Sequence, residues 1–127
     1  MRAGPENHVV LVIEDEPIVR THIADEFRAR GWHVIEAASG EQAVQLIGAN
    51  RIDVVFTDIT LAGAMSGWEA AEALRENVPD VPVLYTSGRP NDPMRQVKDS
   101  LFVGKPYDPA FVIEMCHSLL AETNSRT

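Results

Sequence analysis

Acidic side chains, one hydroxyl and one lysine follow short apolar runs in this sequence, at the points where the strands of a sheet would end. Glu14 and Asp15 follow the run V-V-L-V-I, and Asp58 follows V-V-F-T. Ser87 follows V-L-Y-T, and Lys105 comes shortly after L-F-V. Carboxylates that converge within a few ångströms repel one another unless a cation neutralises them. Oxygen ligands from a few side chains suit Mg²⁺, which keeps several of its waters and favours a phosphate nearby.

The other polar groups of this set suit phosphoryl chemistry. Lys105 can pair with a carboxylate or with an incoming phosphoryl oxygen, and the Ser87 hydroxyl can donate to a second phosphoryl oxygen. A carboxylate beside Mg²⁺ and two such donors can act as a nucleophile toward phosphorus. Asp58 is the best candidate for this nucleophile, because it follows the run that would form the central strand.

Short apolar runs alternate with stretches of helical periodicity, which predicts a β-α unit repeated five times. The first run is continuously apolar, as expected of a strand that helices cover on both faces. Strict alternation with short connections and right-handed crossovers predicts an α/β fold, a flavodoxin-like, doubly wound, five-stranded parallel sheet with strand order 2-1-3-4-5. The expected strands are residues 8–13, 33–37, 54–57, 83–86 and 101–103.

Start and stop signals predict where the helices lie. Pro17 suits the first turn of a helix, and Gly31 would end that helix. Two residue pairs match a capping box, and two others match an aspartate cap followed by proline. These pairs are Ser39 with Gln42, Ser66 with Glu69, Asp92 with Pro93, and Asp108 with Pro109. Residues 87–100 leave room for only a shortened fourth helix.

The length of 127 residues predicts one domain, which we place at residues 8–121 between flexible tails at 1–7 and 122–127. The net charge of −8 argues against nucleic acid or an anionic membrane as a direct partner. No apolar run approaches the roughly 20 residues that span a bilayer. Residues 1–7 lack the apolar core of a signal peptide, so we expect a cytoplasmic protein. The single cysteine, Cys116, excludes a disulfide framework.

The site residues and their surroundings resemble the receiver domain of two-component response regulators. Four segments carry the resemblance in the family's order: V-V-L-V-I-E-D-E-P, V-V-F-T-D-I, P-V-L-Y-T-S-G and V-G-K-P-Y. Together these segments extend the resemblance over about residues 8 to 121. The combination of L-Y-T-S-G-R-P with K-P-Y-D-P is similar to short receivers that occur alone or at the end of hybrid kinases.

The resemblance implies a role for each residue around the acceptor. Asp58 would accept a phosphoryl group from a histidine of a partner histidine kinase or histidine phosphotransfer protein. Asp15 would bind Mg²⁺ directly beside Glu14. Asp58 and the backbone carbonyl of Thr60 would complete the metal site. Thr60 and Arg89 would lie next to the acceptor and tune hydrolysis of the phosphoryl group.

The resemblance also implies a catalytic lysine and a conformational switch. Lys105 fills the position of the family's lysine, and its bond to Pro106 is expected to be cis. Ser87 fills the hydroxyl position and would move toward the phosphoryl group. Phe102 fills the aromatic position on the fifth strand and would then turn inward.

The sequence departs from the family's commonest pattern near the acceptor and in the fourth helix. Glu14 replaces the more frequent first aspartate, and Ala62 stands where proline is usual. The loop 61–67 is slightly long. The short segment 87–100 trims a helix that helps to form the output face in the family. These departures concern the signalling surface more than the phosphorylation chemistry.

No DNA-binding or catalytic output domain is evident, so a phosphorylated form would signal by contact with a downstream protein or by phosphate relay. It would catalyse only its own phosphorylation and dephosphorylation. The sequence is also compatible with a homodimer formed through the last helix and the fifth strand.

Two other functions remain open. A pseudo-receiver or flavodoxin-like small-ligand binder would need a glycine-rich phosphate loop where E-D-E-P stands. An aspartyl-phosphate phosphohydrolase would need a second aspartate where Thr60 stands.

Overall fold

The computed structural model describes residues 8–88 and 95–125, and these residues form the predicted flavodoxin-like α/β fold. Five parallel strands have the order β2-β1-β3-β4-β5, which confirms the predicted topology. The strands are β1 (Val9–Ile13), β2 (His33–Ala37), β3 (Val54–Asp58), β4 (Val83–Ser87) and β5 (Ser100–Gly104). The helices within the described residues are α1 (Pro17–Ala29), α2 (Gly40–Ile47), α3 (Gly67–Asn77) and α4 (Pro109–Ser125).

Helices cover both faces of the sheet and bury its central strands. Along β1, Leu11 and Ile13 belong to the core that packs against α2 and α3, while Val10 and Val12 belong to the core that packs against α1 and α4. Burial of each such aliphatic side chain contributes about 1.5–3 kcal/mol. Because both cores clamp the same strands, the carboxyl ends of those strands have fixed relative positions.

Local hydrogen bonds explain where α2 and α3 begin. The Ser66 hydroxyl accepts a bond from the Glu69 N–H (3.1 Å), and the Glu69 carboxylate accepts one from the Ser66 N–H (2.9 Å). The capping box predicted at α3 is therefore confirmed. At α2 the Ser39 hydroxyl accepts from the Gln42 N–H (3.1 Å), but the Gln42 side chain accepts from the N–H of Ala38.

The last helix begins at its predicted signal and is longer than expected. Asp108 Oδ1 accepts a bond from the Ala110 N–H (3.0 Å), as an N-terminal cap does. No glycine or proline follows Pro109 in the sequence, so nothing interrupts the helix before Ser125. Residues 122–125, expected in a tail, are therefore helical instead, and residues 1–7 and 126–127 lie outside the described residues. No helix in the described part of the chain is long and apolar enough to cross a membrane.

Several strands differ from expectation by one residue. β1 begins at Val9, β3 and β4 include Asp58 and Ser87, and β5 is Ser100–Gly104 where 101–103 was predicted. Parallel pairing continues beyond the predicted ends of β3, β4 and β5. The shortened helix predicted between β4 and β5 would begin at residues 92–93, which lie outside the described residues. Residues 95–99 of this connection are described, and they are not helical.

Candidate functional site

Four predicted site residues meet at the edge of the sheet where the parallel strands end. The register of β1 against β3 places Glu14 beside Asp58, and the register of β4 against β5 pairs Ser87 with the residue before Lys105. Glu14, Asp58 and Ser87 are almost fully buried, with 4%, 6% and 3% of their surface exposed. Ligands of doubly wound sheets bind at this edge.

Lys105 connects two of the buried carboxylates. Its Nζ lies 2.5 Å from Asp58 Oδ2 and 3.2 Å from Glu14 Oε1. The Lys105 N–H donates to the Ser87 carbonyl (2.9 Å), which ties the end of β5 to the end of β4. The peptide bond between Lys105 and Pro106 is cis, as predicted. The lysine is therefore held by side-chain and backbone contacts directly beside the candidate nucleophile.

Burial and neighbouring charges shift the pKa values of Glu14 and Lys105. Burial raises the pKa of Glu14 to about 7, and the charge of Asp58 adds to the rise, while bonds from the Glu16 N–H and from Lys105 oppose it. Burial acts to lower the pKa of Lys105, but its interactions with Asp58 and Glu14 outweigh burial and hold that pKa above its usual value. The lysine therefore stays charged at neutral pH.

Asp15 and the loop after β3 complete the acidic edge. Asp58 Oδ1 accepts a hydrogen bond from the Thr60 N–H (2.9 Å), and Asp15 Oδ2 accepts one from the Ala62 N–H (3.0 Å). Asp15 is half-buried and Thr60 is exposed. The Ala62 bond depends on the departure from the family's pattern, because a proline at this position would have no N–H to donate.

The chemistry of these ligands fits Mg²⁺. Among the described residues, no cluster of three or more His, Cys, Asp or Glu side chains would hold a metal ion by itself. Mg²⁺ does not require one, because it keeps several waters and binds through one or two carboxylates. Burial and the charge of Asp58 disfavour the ionised form of Glu14, and a divalent cation nearby would favour it. The assignment of Asp15, Asp58, Glu14 and the Thr60 carbonyl as the metal site stays a prediction.

The two residues of the predicted switch lie on adjacent strands. Ser87 ends β4, and Phe102 is half-buried on β5, where it is paired in register with Tyr85 and packs against the core on the α2 and α3 face. The Tyr85 hydroxyl accepts a bond from the Val97 N–H (3.0 Å). The movement of Ser87 and Phe102 stays a prediction. Arg89, predicted to lie next to Asp58, is outside the described residues.

Arg20 also belongs to this edge, although no sequence pattern pointed to it. Its Nη1 donates to the carbonyl oxygen of Glu14 (2.8 Å), and its Nε pairs with Glu36 Oε1 (3.3 Å). The arginine thus fixes the backbone at the residue before Asp15. The contact depends on how α1 lies against β2, which the spacing of residues along the chain does not encode.

An open, mostly apolar groove of about 590 Å³ adjoins Lys105. Ile18, at its border, has 84% of its surface exposed, which is unusual for a large aliphatic side chain. Burial raises the pKa of Tyr107, also on the groove, to about 12, so its hydroxyl stays protonated. The groove is lined by Ile18, Val19, His22, Lys105, Pro106 and Tyr107.

Comparison with known proteins identifies the family to which this site belongs. A family model described as "Response regulator receiver domain" matches residues 10–116. This chain belongs to that family. The match includes each of the predicted site residues, from Glu14 to Lys105, so the receiver resemblance inferred from the sequence motifs is confirmed.

Solved receiver structures agree with this fold. A response regulator receiver protein from Sinorhizobium medicae WSM419 is 28% identical, with a TM-score of 0.86 over 94% of this chain and 99% of that chain. The receiver domain of the hybrid histidine kinase CckA is 31% identical, with a TM-score of 0.76 over 88% of this chain and 98% of that chain.

Curated relatives include proteins longer than this receiver domain. The transcriptional regulatory protein YvrH of Bacillus subtilis (strain 168) is 29% identical over 82% of this chain and 45% of its own length. The chain spans about half the length of the first curated relatives it matches.

Proposed function

We propose that this receiver domain accepts a phosphoryl group on Asp58 from a phosphohistidine of a partner histidine kinase or histidine phosphotransfer protein. The observation that carries the proposal is the contact of Lys105 Nζ with Asp58 Oδ2 (2.5 Å) and Glu14 Oε1 (3.2 Å) at the ligand-binding edge of the sheet. A buried carboxylate beside a charged lysine, with a hydroxyl at the next strand end, is suited to phosphoryl transfer.

In the transfer step, a carboxylate oxygen of Asp58 attacks the phosphorus of the donor. A new O–P bond forms while the P–N bond to the donor imidazole breaks, and the imidazole nitrogen keeps the electron pair of that bond. Lys105 neutralises Asp58 before the reaction and pairs with a phosphoryl oxygen after it. Ser87 donates its hydroxyl hydrogen to a second phosphoryl oxygen. The domain then catalyses only its own phosphorylation and dephosphorylation.

Asp15, Asp58 and the backbone carbonyl of Thr60 would hold Mg²⁺, with Glu14 adding negative charge nearby. When bound there, the metal would supply positive charge that neutralises the transferring phosphoryl oxygens. Arg20 supports this site because its bond to the Glu14 carbonyl holds the backbone next to Asp15.

The groove beside Lys105 supports contact with the partner that carries the phosphohistidine. Its lining is largely apolar, and Ile18 is exposed at its border, so an apolar face of a partner protein would bury it there. For output we propose a downstream protein, reached by contact or by phosphate relay, or a second copy of this chain. The start of α4 supports this role, because it carries the exposed side chain of Phe111.

Intact mass after incubation with a small phosphodonor tests the proposed function. We expect the wild-type protein to gain one phosphoryl group with Mg²⁺ and none without it, and Asp58→Asn to gain none. Asp80→Asn is the matched control, because Asp80 is exposed on a turn away from the site. If several donors give no labelling, a beryllofluoride complex would indicate a short-lived phosphoaspartate, and its absence would indicate a pseudo-receiver.

A further inference from the structure

The loop between β3 and α3, residues 59–66 and hereafter the acceptor loop, is held by carboxylates at every second amide. The bonds run from the N–H of Thr60 to Asp58 (2.9 Å), of Ala62 to Asp15 (3.0 Å) and of Ala64 to Glu41 (3.1 Å). These carboxylates come from three elements: the end of β3, the connection after β1 and the first turn of α2. The conformation of the loop therefore depends on acidic groups that are distant from one another in sequence.

Glu41 is the one of these three carboxylates that lies outside the predicted metal site. The loop approaches it closely at Gly63, where a Cβ atom would lie 3.3 Å from Glu41 Oε1. Gly63 also has a φ of +99°, a conformation that residues with side chains rarely adopt. The glycine and the glutamate together let the loop lie against the start of α2.

We infer that Glu41 is a positioning residue: by holding the Ala64 N–H, it keeps the Ala62 N–H directed at Asp15 and so orients the Asp15 carboxylate toward Mg²⁺. This inference rests on the proposed function, which assigns Asp15 as a magnesium ligand. Groups that hydrogen-bond to a metal ligand fix its orientation and strengthen metal binding. The bond to Asp15 exists because residue 62 is not proline.

The test measures the dissociation constant of Mg²⁺ by calorimetry for two pairs of variants. Glu41→Gln loses the charge but keeps an oxygen that accepts the Ala64 N–H, whereas Glu41→Ala loses both. Ala62→Pro removes the donor to Asp15, whereas Ala62→Gly keeps it. Within each pair the loss of a hydrogen bond is therefore separated from the other effects of substitution.

Loss of a group that orients a metal ligand commonly weakens metal binding by about 10–100-fold, so we expect Ala62→Pro to raise the Mg²⁺ dissociation constant about tenfold. Glu41→Ala acts one contact further from the metal, and we expect a rise of about threefold. Glu41→Gln and Ala62→Gly should bind like the wild type. Equal weakening in Glu41→Gln and Glu41→Ala would show that the charge acts, and would overturn the inference.

Amide hydrogen exchange gives a second measurement that needs no metal. We expect faster exchange at the amides of Ala62 and Ala64 in Glu41→Ala than in Glu41→Gln, at unchanged global stability, and equal exchange would count against the inference. Mg²⁺ binding that is the same in the wild type and Glu41→Ala would overturn this inference alone. A wild-type protein that binds no Mg²⁺ would overturn it together with the metal part of the proposed function.

Discussion

At the residue scale, Lys105 is held between two buried carboxylates, those of Asp58 and Glu14. The lysine is charged at neutral pH because Asp58 and Glu14 hold its pKa above the usual value despite burial. Under the proposed function, Lys105 is already charged and beside Asp58 when a phosphoryl oxygen arrives. We therefore expect the ammonium group to contribute electrostatic stabilisation to the proposed transfer.

Lys105→Met tests the contribution of this ammonium group. Loss of one preorganised donor commonly slows a reaction by about 10²–10³-fold, and we expect a decrease of this size in the rate of phosphorylation of Asp58. The rate is measured by intact mass against time with a small phosphodonor. Lys98→Met is the matched control, because Lys98 is exposed and has no contact with the site. A similar decrease in both variants would contradict this role for Lys105.

Two histidines at the opposite edge of the sheet predict a dependence of stability on pH. His8 and His117 lie with their ring centroids 5.6 Å apart, and both contact the ring of Trp32 at 5.0 Å. Burial lowers the pKa of His117 from its usual 6.5, and the charge of His8 lowers it further. Below pH 6.5 the unfolded chain binds protons more readily than the folded chain. The contribution of His117 to the free energy of unfolding is therefore fully present above pH 6.5, and it is lost as the pH falls through the lowered pKa.

Unfolding by urea at pH 7.5 and at mildly acidic pH measures this effect. We expect the free energy of unfolding of the wild type to decrease on acidification, and His117→Phe to lose less stability over the same range. His22→Phe, at an exposed position on α1, should keep the wild-type pH dependence. An unchanged pH dependence in His117→Phe would assign the effect to other groups.

At the scale of elements, the start of α3 determines how the acceptor loop returns to the sheet. Ser66 and Glu69 cap the helix, and the Gly67 N–H donates to the Ile59 carbonyl (2.8 Å). A Cβ at Gly67 would lie 2.1 Å from the backbone oxygen of Asp58, which is closer than real atoms approach. α3 can start this close to the backbone of Asp58 only because residue 67 is glycine.

Gly67→Ala should therefore be destabilising. Overpacking of this kind costs about 1–3 kcal/mol, and we expect at least this decrease in the free energy of unfolding in urea. Gly48→Ala is the matched control, because a Cβ there has its nearest neighbour at 4.0 Å and the φ of −73° is helical. At such a position alanine commonly stabilises a protein by about 0.4–1 kcal/mol. Equal effects of both substitutions would contradict the close approach at Gly67.

At the scale of the whole molecule, the parallel sheet separates the candidate phosphorylation site from the cluster of His8, Trp32 and His117. The candidate phosphorylation site lies at the carboxyl ends of the strands, while His8 precedes β1 and Trp32 precedes β2 at the amino ends. Both cores pack on the same strands, so binding at one edge is linked to the stability of the whole fold. A ligand of the folded state must stabilise the entire domain.

Mg²⁺ should therefore raise the free energy of unfolding of the wild-type protein. At a concentration ten times its dissociation constant, a ligand that binds only the folded state adds about 1.4 kcal/mol. We expect this gain to disappear in Asp15→Asn, which keeps an oxygen for the Ala62 N–H but loses the charge, and to persist in Asp80→Asn. Unfolding in urea with and without Mg²⁺ at matched ionic strength measures it. Equal gains in both variants would assign the effect to general screening of the net charge of −8.

The sequence by itself determined the elements and the residue types at the site. Apolar runs predicted the strands to within about a residue, because burial on both faces requires such runs. The capping signals at Ser66 and Asp108 predicted two helix starts, because a cap acts through local hydrogen bonds. The strand ends indicated Glu14, Asp58 and Lys105, because all parallel strands of one sheet end at the same edge.

Only the tertiary structure decided which of these groups contact one another. Lys105 bonds to Glu14 and Asp58 across 91 and 47 residues of sequence, and Asp15 meets the Ala62 N–H across 47. Arg20 reached the site without a signal in the sequence pattern. Such contacts depend on strand register and on how the helices pack against the sheet. Both are properties of the whole assembly of elements, so no local spacing of residues encodes them.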